Sequence, residues 1–237
     1  MANESPKGSV VEFDDFIGDT LNSDLFTATV SVGGSLAITA QQNNGTVQMT
    51  TDGTDEDAAL LCDSLIWKVS NGSLRLEARV KFSVVSTLRA FVGFSDATTE
   101  SDLLPMSIAG TTWTTTASTA IGFCYSSAAT TANWTAMWVD GDSDCTSPAL
   151  SSRIFTGCAP VADTYQTFII ELQDQGSGNS PIAEMTIIDS NGKSYSKRFE
   201  TSLTRTTLLT AAIGHQNEGA VAHTTTLDYV EVINSRA

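Results

Sequence analysis

The chain is poor in charge, and poorest in positive charge. Of its 237 residues only 16% are charged, with 12 Lys and Arg against 27 Asp and Glu, for a formal charge of −15. Soluble proteins average about 25% charged residues. So few cations cannot assemble the basic patch that neutralises phosphates, so no nucleic-acid partner is expected. The same acidity opposes docking on an anionic membrane, so no membrane partner is expected either. Long apolar runs are missing, and nothing approaches the roughly 20 residues of a spanning helix. The opening Met1-Ala2-Asn3-Glu4-Ser5-Pro6-Lys7 lacks a charged leader followed by an apolar stretch, and reads as no secretory signal. Cysteine is scarce too. Cys62, Cys124, Cys145 and Cys158 show no CxxC spacing, which removes the zinc knuckle and the dithiol redox motif. Cys145 and Cys158 flank a turn-rich segment where a bridge is sterically conceivable. A chain kept in a reducing compartment instead favours four free thiols buried as small hydrophobes.

What is present is a β-rich composition. Hydrophobic residues reach 41%, too high for disorder, and more than fifty Ser and Thr supply the polarity that charge does not. The length suits a single β domain over residues 1–237, with residues 1–11 as an extended N-terminal arm. Leu74, Leu76, Ala78, Val80 and Phe82 alternate with Arg75, Glu77, Arg79 and Lys81. That period of two predicts an antiparallel strand with one apolar and one charged face. The run Leu88 to Phe94 reads as its hairpin partner across Ser86-Thr87. Similar short runs recur along the chain, parted by Gly33-Gly34, Asn43-Asn44-Gly45, Gly176 to Asn179 and Asn191-Gly192. Many strands at this spacing predict an all-β antiparallel sandwich with minimal helix. The one helical turn expected lies around Thr98 to Leu103. The Thr-rich stretch Gly110 to Thr119 reads as an exposed loop, a β-edge or an interaction surface. Residues 1–63 carry eleven acids and one base, which reads as an acidic arm or face.

Chemistry-bearing constellations are sparse. Glycoside hydrolysis needs paired carboxyl groups, about 5–5.5 Å apart in retaining enzymes. The Glu-x-Asp-x-x-Glu strand that would supply them is absent; Glu12 and Asp14 belong to the acidic terminus, and Glu171 and Asp174 have the wrong parity. No Gly-x-Ser-x-Gly elbow occurs. His215 and His223 flank the loop Gln216 to Ala222 and read as surface residues. No catalytic residue and no cofactor are therefore assigned, and the chain reads as a non-enzyme. Asp140, Asp142 and Asp144 alternate, so an extended backbone would align three carboxylates suited to calcium. The Gly position and missing Glu depart from an EF-hand loop, and a solvated hairpin end without a tight ion is the expected state. Asp52 to Asp57 allows the same two readings. Trp113, Trp134 and Trp138 are candidate sugar-stacking rings. Trp134 and Trp138 share a strand face with Ala136, which serves a glycan contact or an inward core equally well.

Several segments carry a resemblance. Glu12-Phe13-Asp14-Asp15-Phe16-Ile17-Gly18-Asp19 resembles the first strand of concanavalin A-like, laminin-G-like jelly rolls, and Gly72 to Phe82 their long middle strand. Phe91-Val92-Gly93-Phe94-Ser95-Asp96 and the closing Leu227-Asp228-Tyr229-Val230-Glu231-Val232 also match. Ala159-Pro160-Val161-Ala162-Asp163-Thr164-Tyr165-Gln166-Thr167-Phe168 is similar to a segment of tailed-bacteriophage structural proteins with this fold. The resemblance implies first and last strands adjacent in one sheet. It also implies a capsid decoration or cement protein, made in the host cytoplasm and located on the virion surface. Its partners would be the major capsid protein and further copies of itself. The alternative it implies is a carbohydrate-binding adhesin of a head or tail fibre, contacting host surface glycans.

Overall fold

The computed structural model describes residues 8–18, 20–39, 45–98 and 104–235. Its strands are β1 (Ser9–Asp14), β2 (Thr27–Val30), β3 (Ser35–Ile38), β4 (Val47–Thr50), β5 (Ala58–Cys62), β6 (Leu74–Phe82), β7 (Leu88–Ser95), β8 (Met106–Ala109), β9 (Thr112–Thr115), β10 (Ala120–Ser126), β11 (Thr135–Asp140), β12 (Ser143–Asp144), β13 (Gln166–Gln173), β14 (Ile182–Ile188), β15 (Ser194–Glu200), β16 (Thr210–Asn217) and β17 (Thr224–Ser235). Among the described residues helix is confined to α1 (Leu150–Arg153) and a 3₁₀ turn at Val69–Asn71. The helical turn expected at Thr98 to Leu103 lies, except for Thr98, outside the described residues.

All strand pairs among the described residues are antiparallel, and they form two large stacked sheets and a separate two-stranded sheet, β8-β9. The first has the order β15-β14-β13-β6-β17-β4-β3, with β1 also on β17; the second runs β12-β11-β10-β7-β16-β5-β2. First and last strands are adjacent, from Ser9 opposite Ser235 to Asp14 opposite Val230. β17 therefore pairs with β6 on one side and with both β4 and β1 on the other. Ser9 to Val11 belong to this ladder, so the expected arm does not extend to residue 11; residues 1–7 lie outside the description.

The alternation in β6 behaves as its sequence dictates. Leu74, Leu76, Ala78, Val80 and Phe82 enter the core between the sheets, each at most 3% exposed. The outward residues bond with one another: Arg75 pairs with Glu77 and Glu231, and Arg79 with Asp228. Asp228 sits where β17 slips register between Leu227 and Tyr229, a bulge that turns its carboxylate to Arg79. The expected β6–β7 hairpin is not formed. β6 pairs with β13 and β17, whereas the chain after Phe82 crosses to the other sheet and β7 pairs with β10 and β16.

The second sheet is buried on both faces. Its outer side, with Leu60, Phe91, Cys124, Met137 and Ala212, is covered by Leu104, Met106, Ile108 and Ala117 in and beside the β8–β9 hairpin. Within the Thr-rich stretch Thr112–Thr115 form strand β9, and Trp113 packs on both apolar clusters. Gly93 and Gly122 stand opposite each other under this cover. A Cβ on Gly93 would lie 2.1 Å from the Ile121 carbonyl oxygen. The described acids of residues 1–63 do not form one face. Asp63 is 2% exposed, Glu12 is half-buried, and Glu56 is engaged by Arg89 at 2.7 Å.

Candidate functional site

The edge strands β12 and β15 lie on the same side of the sandwich, and a groove opens between them. It encloses about 760 Å³ lined by Trp138, Ser143 to Pro148 and Arg198 to Ser202. A second hollow of about 410 Å³ shares Glu200 and Thr201 with it and extends toward Gln175, Asn179 and Ser180. Its walls are fixed from both sides. The Thr204 amide and hydroxyl donate to the Asp140 carboxylate at 2.9 and 3.0 Å, tying the strap after β15 to the β11–β12 turn. Arg205 Nε donates to Asp174 Oδ1 at 2.6 Å, and this partner holds the Asp174 carboxyl below its ordinary value. The rim carries exposed Asp144, Arg198 and Glu200. Arg198 forms no ion pair among the described residues, so its donors face solvent.

Below the groove lies an unusual cation. Arg153, the last residue of α1, is 2% exposed, with its guanidinium carbon 4.1 Å from the Trp113 ring centroid and 5.8 Å from that of Trp138. Its Nη1 donates to Cys145 Sγ at 2.7 Å, while its Nε has no partner. Burial pushes the Cys145 thiol up, and the backbone N–H of Trp138 and the Arg153 charge oppose that rise.

The residues singled out from sequence are distributed otherwise than expected. Trp134 and Trp138 are 0% and 1% exposed. Trp134 lies edge-on to Phe168 at 4.8 Å and donates its indole N–H to Gln166 at 2.9 Å. Trp138 is 5.5 Å from Phe199. Their common strand face is the core, and neither ring offers a stacking face to a glycan. Asp140, Asp142 and Asp144 do not align, because Gly141 and Asp142 both have positive φ and reverse the chain in two residues. Asp140 turns to Thr204, and Asp142 accepts from Ser118 at 2.7 Å. Asp52 accepts the Thr54 amide at 2.7 Å in a turn anchored by the Asn217 amide group. Among the described residues no group of three or more His, Cys, Asp or Glu is placed to hold a metal.

The histidines are not on the surface. His215 is 0% exposed, with Nδ1 2.6 Å from Thr225 Oγ1, and His223 is 1% exposed, with Nε2 3.2 Å from Thr87 Oγ1. Burial drives His215 down to about 3, and the neighbouring His223 adds to the effect. None of the four cysteines is disulfide-bonded, Cys145 and Cys158 included, and all are buried. Two charged core residues went unrecognised in the sequence, Arg153 and Asp63. Asp63 accepts from Trp67 Nε1 at 2.6 Å, Thr210 Oγ1 at 2.7 Å and the Ala211 amide at 2.7 Å. Burial nevertheless pushes Asp63 up to about 7. The Trp67 spacing of i+4 was the only trace of it in the sequence.

No protein-family model and no curated protein sequence matches the chain. Solved structures do. A protein of unknown function from Shewanella oneidensis is similar over 98% of this chain and 88% of its own, at TM-score 0.66 and 12% identity. Peanut lectin is similar over 95% and 97%, at TM-score 0.58 and 9% identity. A β-1,3-1,4-glucanase from a mouse hindgut metagenome is similar over 94% and 98%, at TM-score 0.55 and 10% identity. At such identities the likeness is one of architecture: the chain has the concanavalin A-like, legume-lectin-like jelly-roll fold.

Proposed function

We propose that the chain is a non-catalytic carbohydrate-binding protein whose ligand lies in the groove between β12 and β15. The observation that carries this reading is the groove's chemistry. It combines hydroxyls of Ser143, Thr146, Ser147 and Ser202 with an uncommitted guanidinium and two carboxylates on a rigid wall. Saccharide hydroxyls are matched by such closely spaced donors and acceptors. The lectin-like architecture supports the same kind of function. The two carboxyls that burial raises, Glu12 and Asp63, lie toward the opposite edge of the sheets from the groove. On a glycan array the protein is expected to bind a restricted set of saccharides, and Arg198→Ala is expected to weaken binding at least about tenfold, the loss of one charge-assisted hydrogen bond. A blank array, or affinity unchanged by Arg198→Ala and by Glu200→Gln, removes the proposal.

A second reading, decoration of a capsid through the major capsid protein, is favoured by a separate feature. Val11, Phe13 and Ile17 are 43%, 55% and 68% exposed along and beyond β1, three apolar side chains close together in the chain. Exposed apolar patches mark protein contacts. Under this reading the chain is recovered in many copies on purified particles, and Phe13→Asp abolishes recovery while the folded protein persists. Particles lacking the chain altogether would dismiss it.

A further inference from the structure

Several polar side chains on the outer face of the first sheet are engaged with one another. Arg75 bonds to Glu77, two residues along β6, and to Glu231 of β17, while Thr186 meets Ser196 at 2.7 Å across β14 and β15. Arg198 and Glu200 have the same two-residue spacing on β15, and Glu184 stands directly opposite Arg198 in the ladder. Yet among the described residues the side chains of Arg198 and Glu200 make no hydrogen bond or ion pair. The pattern continues past Glu200. The side-chain amide oxygens of Gln175 and Asn179 accept no hydrogen bond there, and the Ser180 hydroxyl has no partner. The loop that carries them is nevertheless fixed. Asp174 accepts the Gly176 amide at 3.1 Å and Arg205 Nε at 2.6 Å, and Thr201 donates to the Pro181 carbonyl at 2.6 Å. The unengaged groups follow the two hollows, which share Glu200 and Thr201 and so form one trough along the edge of the sandwich.

Resting on the carbohydrate reading above, we infer that this trough takes a linear, uncharged glycan chain longer than a disaccharide, with the hollow at Gln175, Asn179 and Ser180 as its second subsite. The groove alone, at about 760 Å³, falls within the roughly 300–1,000 Å³ that encloses a drug-sized molecule, more room than one hexose fills. The hollow of about 410 Å³ beyond Glu200 gives the chain somewhere to continue. Arg198 offers only donors and Glu200 only acceptors, so the join between the subsites meets both sides of a sugar hydroxyl. The free amide oxygens beyond accept from the hydroxyls of the following units. Water holds these groups in the empty trough, and a ligand gains by reproducing all of its bonds together. Charge selects against acidic chains. Asp144 and Glu200 outnumber Arg198 on the groove wall, and the formal charge of −15 repels a polyanion at longer range.

The test is titration calorimetry of the native protein with ladders of linear glucans, mannans, xylans and galactans of one to six units, beside polygalacturonate and heparin. At least one neutral ladder is expected to bind at least about tenfold more tightly at six units than at two, the gain from one well-bonded further subsite. Ser180→Trp, which fills the second hollow from an exposed position, is expected to abolish that gain and leave disaccharide affinity and melting temperature unchanged. Asn179→Ala is expected to reduce the gain in the same length-dependent way, whereas Arg198→Ala weakens both lengths. Equal affinity for two and six units, or a gain that survives Ser180→Trp, overturns the extended trough and leaves a shorter saccharide site standing. Tighter binding of either polyanion overturns the uncharged class. Silence from every ladder also overturns the trough; a glycan array that still shows hits then keeps the carbohydrate reading, and a blank array removes both.

Discussion

Replacing Gly93 with alanine is expected to leave the protein without a cooperative native transition at ordinary temperature. The added methyl group would lie 2.1 Å from the Ile121 carbonyl oxygen and 2.5 Å from Gly122 Cα, both backbone atoms of the paired strand β10. A flexible side chain could move aside, but here the ladder itself must separate. β7 is the central strand of the second sheet, flanked by β10 and β16, so a shift on one side propagates to the other. Overpacking of a dense core costs about 1–3 kcal/mol where side chains absorb it, and more where backbone must. Loss of several ladder bonds beneath the β8–β9 hairpin adds to that, against a total stability of about 5–15 kcal/mol. Urea unfolding followed by tryptophan fluorescence measures the effect. A midpoint within experimental error of the parent would show that the sheets tolerate the separation.

The second large effect concerns pH, and it is hidden in the unmodified protein. Asp63 titrates near 7 when folded, above its ordinary 3.8, so it binds more protons in the folded state than in the unfolded state between those values. Its contribution is fully present below 3.8 and disappears as pH rises through 7. His215 titrates near 3 when folded, below its ordinary 6.5. Its contribution is fully present above 6.5 and disappears as pH falls through 3. Each slope is about 1.4 kcal/mol per pH unit, and the two oppose each other from pH 3.8 to 6.5. Removing one group uncovers the other. Relative to the parent, Asp63→Asn should gain about 3–4 kcal/mol in stability from pH 4 to pH 6.5, and His215→Gln should lose a similar amount. Each variant also carries a pH-independent offset from altered hydrogen bonds, which the slope ignores. Stability curves that run parallel to the parent across this range would contradict both assignments.

How much of this was legible in the sequence depended on where each element's two faces point. β6 was readable because one face meets the core and the other meets water, which writes a period of two into the residues. The second sheet has no watery face, so Ala58 to Cys62 and Ala120 to Ser126 are continuous apolar runs without a direction. Their cover, the β8–β9 hairpin, looked like low-complexity Thr because its inward side is carried by few residues, Met106, Ile108 and Trp113 among them. The crossing from β6 to β7 was read as a hairpin because sequence proximity is the only guide to pairing when both strands are apolar. The groove was illegible for another reason. Its walls come from residues 143–148 and 198–202, which only the stacking of the two sheets brings together. Trp134 and Trp138 were read correctly as sharing a face; that the face was the core follows from their partners Phe168 and Phe199, far along the chain.

The position of β17 also sets a timetable for synthesis. Its neighbours β6, β4 and β1 all leave the ribosome long before it does, yet it is the strand that joins them. About 140 residues separate the end of β6 from the start of β17. At roughly 5–20 residues per second, β6 waits on the order of ten to thirty seconds for this partner, with both flanks unpaired until β13 is made. Once β13 is made it pairs with β6 along Leu74 to Val80, and the β17 flank alone stays open. Nascent chains halted just before Thr224 should therefore be held by chaperones or cut by proteases, whereas those released after Ser235 should resist both.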